Sequence, residues 1–324
     1  MVTVNRLCWL VPLLLVALGC SRGAGSGKLV PIKSADATEH VTGAPDVAPA
    51  PPEKTVPPET KEPLAMTVTF PLGKSETYIL TNDILTLSQA PDGQTYAEKS
   101  FLNAVQEVKV IVSPDNGPNV SIHTHDVRAG VPGDEPIQKI ANDYILKTAA
   151  SIEGSVLHGK FDDKGRGTDL VFIGEGVGLN PLGPQASSQK LMVGFMGILL
   201  PDKAAKPGDT WTGTYDFTQS GMDLFEKQGA RVEDGKIPIT YTLLDYDKKN
   251  NSIRIGLKSA GKPVVKVPIE GAMAEIKMDV KAEGQALVRI NDGWLQELRL
   301  ETNVTTEGLV ASKQTIKTVT RRKK

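Results

Sequence analysis

The sequence predicts a mainly β protein with a few helices, an α+β fold built on an antiparallel meander. Three observations predict it. Apolar and polar residues alternate over most of the chain beyond residue 66. Clusters of Gly, Asn and Asp separate the alternating runs at even spacing, the pattern of successive hairpins with one wet face. Only two segments carry a helical period instead.

The chain opens with an export leader. Arg6 supplies a positive start, and Leu7 to Leu18 is an almost unbroken apolar run. That run is too short to span about 30 Å of hydrocarbon as a helix, and it fits the apolar core of a signal peptide. It ends Ala17-Leu18-Gly19-Cys20, which resembles the lipobox of bacterial lipoproteins, most closely at Gly19 and Cys20. The resemblance implies cleavage after residue 19 and lipidation of Cys20. Two or more acyl chains, each buried CH₂ worth about 0.8 kcal/mol, would then hold the chain on a membrane. The competing readings are an ordinary cleaved secretory signal and an apolar start with a free thiol. Cys8 and Cys20 are the only cysteines, so the mature domain has neither thiol chemistry nor disulfides. Ser21 carries no Asp retention signal, and by the rule of enteric bacteria the anchor lies in the outer membrane, facing the periplasm.

Residues 20–65 read as the lipidated cysteine and a disordered tether. "GAPDVAPAPPEKTVPPETKEP" is rich in Pro, Ala, Glu and Lys and has no aromatic residue, so it cannot bury enough apolar surface to offset its ordering entropy. Stiff polyproline geometry would extend it on the order of 130 Å. A Pro-rich ligand for an aromatic groove is the other reading.

Residues 66–324 form the β-rich globular part. "SETYILT" opens it. In "KSFLNAVQEVKVIVS" Val108, Val110 and Val112 share a face, "PDNG" turns the chain and "NVSIHTHDVRA" returns it. "GSVLHGKFDDKGRGTDLVFIG" turns at Asp163-Lys164-Gly165, and "IPITYTLLDYDKKNNSIRIGLKS" turns around "DKKNN". "AEIKMDVKAEGQALVRINDGWLQELRLETNV" pivots on Asn291-Asp292-Gly293, after which Leu295, Leu298 and Leu300 alternate imperfectly. "SKQTIKTVTRR" is the last strand. Ile137, Ile140, Ala141, Tyr144, Ile145, Thr148, Ala149 and Ile152 have helical spacing and stop at Gly154. "SSQKLMVGFMGILLP" (187–201), apolar nearly all round, is the second helical segment. The order of elements suggests two related halves, about 66–183 and 184–324, without a residue-level repeat to prove it.

"LPDKAAKPGDTWTGTYDF" (200–217), then "ITYTLLDYDKKNNSIRIGL", then a hairpin with "NDGWLQELRLET" is an order that resembles an uncharacterised family of bacterial envelope lipoproteins. Its motifs are structural: Gly208 for a turn, Trp211 for packing, Gly293 for a hairpin. Long antiparallel strands with helices laid on one face are also loosely similar to the half-barrels of lipoprotein-localisation carriers. That resemblance implies a duplicated open half-barrel with helices packed on a concave, acyl-binding face.

The whole chain carries a formal charge of −1, and removal of Arg6 leaves −2. No global field recruits nucleic acid. The terminal Arg321-Arg322-Lys323-Lys324 reads as a frayed basic tail. His123 and His125 share one strand face and are the candidates a metal would use, with His158 in another hairpin able to complete a set. No third ligand is identified, the ordinary reading is half-exposed strand residues, and no metal site is assigned. "GEGVG" (174–178) lacks the spacing and the Lys-Ser/Thr of a phosphate loop, and there is no G-x-S-x-G elbow. Asp162-Asp163 and Asp245…Asp247 lie at turns, where Asp bonds nearby backbone. No catalytic residue and no cofactor are assigned.

The "KLMVGFMGILL" segment carries the most weight. Leu191, Met192, Phe195, Met196 and Leu199 are the candidate lining of an apolar pocket, since thioethers repack around varied ligands; the plain alternative is a helix buried against the sheet. The sequence thus points to a non-enzymatic envelope lipoprotein that contacts membrane through its acyl chains and binds an apolar ligand or an envelope protein. The alternatives are a purely structural contact module and, remotely, a metal-dependent enzyme using the His-x-His strand. Intact mass spectrometry of the chain from its native host is expected to show an acylated Cys20 at the N-terminus; an uncleaved leader or a free thiol at that position overturns the assignment.

Overall fold

Alternation sustained over long runs builds long strands. The computed structural model describes residues 62–89, 95–113, 117–132, 146, 149–150, 153–173, 198–216, 231–269, 272–290, 292–308 and 311–323. Among them thirteen strands form one sheet: β1 (Ser75–Gln89), β2 (Thr95–Ser113), β3 (Gly117–Gly130), β4 (Val156–Phe161), β5 (Gly167–Ile173), β6 (Thr210–Asp216), β7 (Arg231–Glu233), β8 (Lys236–Asp247), β9 (Ser252–Gly261), β10 (Val264–Ile269), β11 (Ala272–Arg289), β12 (Leu295–Gly308) and β13 (Ala311–Arg322). The order is β5-β4-β3-β2-β1-β13-β12-β11-β9-β8-β6, with β10 and then β7 branching from β11. Every strand pairing is antiparallel. β5 and β6 end the path without pairing each other, so the sheet is open.

The expected α+β composition is not supported. Helical backbone among the described residues occurs only at Leu146, Ala149 and Ala150. Glu153 N–H donates to the Ala149 carbonyl at 2.9 Å, and Gly154 then turns with φ 71°. The rest of both segments expected to be helical, and their packing on a concave face, lie outside the described residues, as do the leader, Cys20 and residues 21–61. The physical reason for the sheet's dominance is length: β1, β2 and β11 run 15, 19 and 18 residues, so the backbone is satisfied by ladders.

The four hairpins expected from turn residues join where those residues place them: β2–β3 at Ser113 and Gly117, β4–β5 at Phe161 and Gly167, β8–β9 at Asp247 and Ser252, and β11–β12 around Gly293. The imperfect alternation after Gly293 is a β-bulge. Leu287 pairs Glu297 while Val288 pairs Leu295, so Gln296 is an extra residue and both Leu295 and Leu298 face inward. A second bulge at Leu244 likewise lets Leu243 and Tyr246 both bury.

The sheet is curled. From β3 to β8 the path takes seven steps, which would span about 34 Å if flat. Yet Val120 and Ile122 of β3 share one hydrophobic cluster with Tyr241 and Leu243 of β8. Gly284 marks how closely β11 bends over β12: a Cβ there would stand 2.2 Å from the Arg299 carbonyl oxygen.

A strap of chain crosses one end and holds the curl. Leu64 and Ala205 exchange backbone hydrogen bonds at 2.8 and 3.0 Å, Val68 N–H donates to Asp163 O at 2.8 Å, and Thr69 N–H donates to Asp292 O at 3.0 Å. Gly73 N–H donates to Val110 O at 3.1 Å, and Lys74 O accepts from Val110 N–H at 3.0 Å. Ile198 to Leu200 run beside the strap: Leu200 N–H donates to Lys164 O at 2.9 Å, and Trp211 Nε1 donates to Leu199 O at 2.8 Å. Trp294 is the post beneath the strap. It is fully buried, its Nε1 donates to Thr69 O at 3.0 Å, and its ring lies 6.4 Å from Phe70, which meets Phe161 at 5.9 Å. Gly293 before it has φ 69°, and a Cβ there would lie 2.7 Å from Thr67 O, so the turn and the strap both require glycine. Trp294→Ala is expected to cost about 3–5 kcal/mol, read as a lowered urea midpoint of the full chain.

Candidate functional site

The inner face of the curl offers one continuous row of side chains. Across seven strands Ile239, Ser259, Ala282, Thr302, Ile316, Ile84 and Ser100 stand directly opposite one another in register. The row carries no charge. Ser100, Ile84, Ile316 and Thr302 are buried, whereas Ala282, Ser259 and Ile239 keep partial exposure, and so does Leu300 on the same face. The concavity is therefore deep at β2, β1 and β13 and accessible at β8, β9 and β11.

Buried hydroxyl and amide groups are interleaved with the apolar ones. Thr318 Oγ1 donates to Asn82 Oδ1 at 2.7 Å, Gln314 Nε2 donates to Thr86 Oγ1 at 3.2 Å, and the Thr306 and Ser312 hydroxyls bond at 2.7 Å. These cross-strand pairs satisfy groups that would each cost about 1–3 kcal/mol if left bare. Glu98 sits at the β2 end of this face, and burial raises its carboxyl above the usual range.

Of the pocket residues expected from sequence, Leu191, Met192, Phe195 and Met196 lie outside the described residues. Leu199 is half-buried, with Ile198 and Leu200 buried on either side of it in the main cluster. It lies at the strapped end, where its side chain approaches Gly213. The motif residues of the resemblance have structural roles: Gly208 turns with φ 95°, and Trp211 stacks on Tyr241 at 5.8 Å. Asp162 accepts backbone N–H from Lys164 and Arg166, and Asp247 from Lys249 and Asn250. These carboxylates cap turns.

His123 lies on the outer face of β3, and its ring meets that of His158 on β4 edge to face, centroids 6.5 Å apart. His125 is two residues on, half-exposed, with Nδ1 3.3 Å from Asp126 Oδ2. Asp126 has φ 52° and opens a bulge that the Glu153 carboxylate fixes by accepting N–H from Asp126 and Val127. Burial, with the neighbouring His123, lowers the His158 pKa. Among the described residues, no three or more His, Cys, Asp or Glu side chains gather around one metal position.

An ionic network lies at the strapped end, and sequence reasoning missed it. Arg322 grips the buried Glu76 through two hydrogen bonds of 2.5 and 2.7 Å. Arg289 bonds Asp292 through two nitrogens and reaches Glu76 at 3.6 Å, and Lys74 stands 3.5 Å from Asp292. The terminal arginines are thus not a frayed tail: both lie in β13, and Arg321 donates to Glu297 at 2.7 Å. The signal available in the sequence was their place at the end of an alternating run. Burial works against the Asp292 charge, but hydrogen bonds from Arg289 and Trp294 N–H, with Lys74 nearby, outweigh it and hold the carboxyl below its usual range.

The chain matches no protein-family model and no curated protein. Among solved structures it is similar to lipovitellin, in a structure of its lipid–protein interactions, at 10% identity and TM-score 0.41 over 79% of this chain and 26% of that one. It spans about a quarter of the lipovitellin chain. It is also similar to an outer membrane channel of Pseudomonas putida F1 at 10% identity and TM-score 0.31, over 79% of this chain and 97% of that one. With Salmonella typhi OmpF in complex with daunomycin the identity is 8% and the TM-score 0.26, over 78% and 98%. These remote likenesses assign neither family nor activity.

The Asp292 network makes stability depend on pH. A lowered folded pKa stabilises fully above the unfolded value, near 3.8, and that contribution is lost as pH falls through the folded value. The urea midpoint of the full chain is expected to drop more steeply between about pH 5 and about pH 2.5 than that of Asp292→Asn, which starts lower and falls less.

Proposed function

We propose that this chain is a lipid-anchored envelope protein whose curled sheet binds an acyl chain, without catalysis. The observation that carries the reading is the half-exposed inner row at Ile239, Ser259, Ala282 and Leu300, continuous with the buried Thr302, Ile316 and Ile84. A row of aliphatic and hydroxyl groups without charge suits a flexible hydrocarbon, because burial of apolar area needs no directional partner. Interleaved hydroxyls would meet an ester or a carboxyl end of such a ligand. The candidate lining Leu191, Met192, Phe195, Met196 and Leu199 belongs to the same proposal.

The leader and Cys20 place the anchor, on this reading, in the outer membrane. The segment from Ser21 onward would let the sheet work away from the bilayer that holds it. The other function in contention is a purely structural module that binds no lipid.

Native mass spectrometry of the full chain purified from membranes tests the proposal. Wild type is expected to carry a non-covalent acyl lipid. Ala282→Phe, which projects a ring from a half-exposed position into the trough, is expected to lower that occupancy by about tenfold with the fold retained by circular dichroism. Lipid-free wild type, or equal occupancy in Ala282→Phe, overturns acyl binding in favour of the structural module.

A further inference from the structure

The convex face carries a second constellation, separate from the trough. We propose that His123 and His158 together bind one divalent transition-metal ion of the imidazole-preferring kind, such as copper(II), nickel or zinc. The strand register builds the pair. His123 faces Val156 across β3–β4 and His158 faces Ser121, so the two histidines are diagonal neighbours on one side of the sheet. Their rings stand edge to face at 6.5 Å between centroids. A metal shared by two imidazoles, with metal–nitrogen bonds of about 2.0–2.1 Å, sets ring centroids about 5–6 Å apart. A small rotation of either side chain closes the difference.

A second observation points to a ligand at the same place. Ser121 lies on that face two residues before His123 and directly opposite His158. It is 1% exposed, and its hydroxyl has no hydrogen-bond partner among the described residues. A buried polar group left bare is costly, and a water on the metal would supply what it lacks. Glu107 of β2 stands directly opposite His123 and is ion-paired with Lys109 at 3.1 Å, which puts a carboxylate on the border of the site. His125 belongs to the bulge beyond and is not part of the site.

Two protein ligands leave the remaining positions to water or to an exogenous group, which suits an exchangeable ion better than a buried structural one. Calorimetric titration of the full chain with Cu²⁺, Ni²⁺ or Zn²⁺ in non-coordinating buffer tests this, with H123A, H158A and H125A alongside. One ion per chain is expected, with affinity reduced about tenfold or more in H123A and in H158A and unchanged in H125A. In the Cu²⁺ form, electron paramagnetic resonance is expected to show coupling to two imidazole nitrogens, a reading that needs only wild type should a variant fail to fold. Absence of a stoichiometric site, coupling to a single nitrogen in wild type, or full binding in H158A overturns the proposal. Loss in H125A with H158A unaffected overturns it in favour of the His-x-His pair.

Discussion

The architecture depends on the strap that runs from Leu64 to Lys74 over Trp294. An open sheet of this width has no closing ladder to set its curvature, since β5 and β6 do not pair. Twist alone would leave its wings splayed. The strap visits residue 205, the β4–β5 turn, the β11–β12 turn and β2 in succession, with backbone hydrogen bonds at each stop. Each such bond contributes about 0.5–1.5 kcal/mol, and the buried indole under them adds several kcal/mol of transfer free energy. The curl, and with it the trough, follows from that tie.

Charge pairing at the same end does a different task. The Arg322–Glu76 pair bridges β13 to β1, the seam where the first five strands meet the later ones. Buried ion pairs are weak contributors to net stability because desolvation offsets their attraction, but removing one partner is costly. A slip of β13 along β1 would leave Glu76 buried without its partner. The network thus sets register at the seam, while Trp294 and its aromatic neighbours supply apolar burial.

The two faces of the sheet divide the chemistry. Inward positions along the row are aliphatic or carry hydroxyl groups, and beside it Thr318 bonds across strands to Asn82, while Glu98 and the Glu76–Arg322 pair bring charge to the same face away from the row. Outward positions of β9, β11, β12 and β13 carry charges: Lys258 pairs Glu283 at 3.1 Å, and Arg321 pairs Glu297 at 2.7 Å. An inner row without charge can hold hydrocarbon, and a charged and histidine-bearing exterior can hold water and ions. The proposed acyl site and the proposed metal site therefore sit on opposite faces of the one sheet, the first on β8 round to β2 and the second on β3 and β4, and do not compete.

Local chemistry in the sequence determined the strands, their antiparallel pairing at each hairpin and the special turns at Gly208 and Gly293, because alternation and turn preference act over a few residues. The inner row was harder to see. In "SKQTIKTVTRR" both faces are largely polar, and the distinguishing mark is that Lys313, Lys317 and Arg321 alternate with uncharged residues. Charge against no charge, rather than apolar against polar, was the legible signal. Broken alternation at Leu295 and Leu298 became intelligible only through the bulge at Gln296. What the tertiary structure alone decided was everything that joins distant residues: the seam of β1 with β13, the strap on Trp294, the Glu76–Arg322 pair 246 residues apart in sequence, and the meeting of His123 with His158. Such contacts depend on the curvature of the whole sheet, a property no local window of sequence contains.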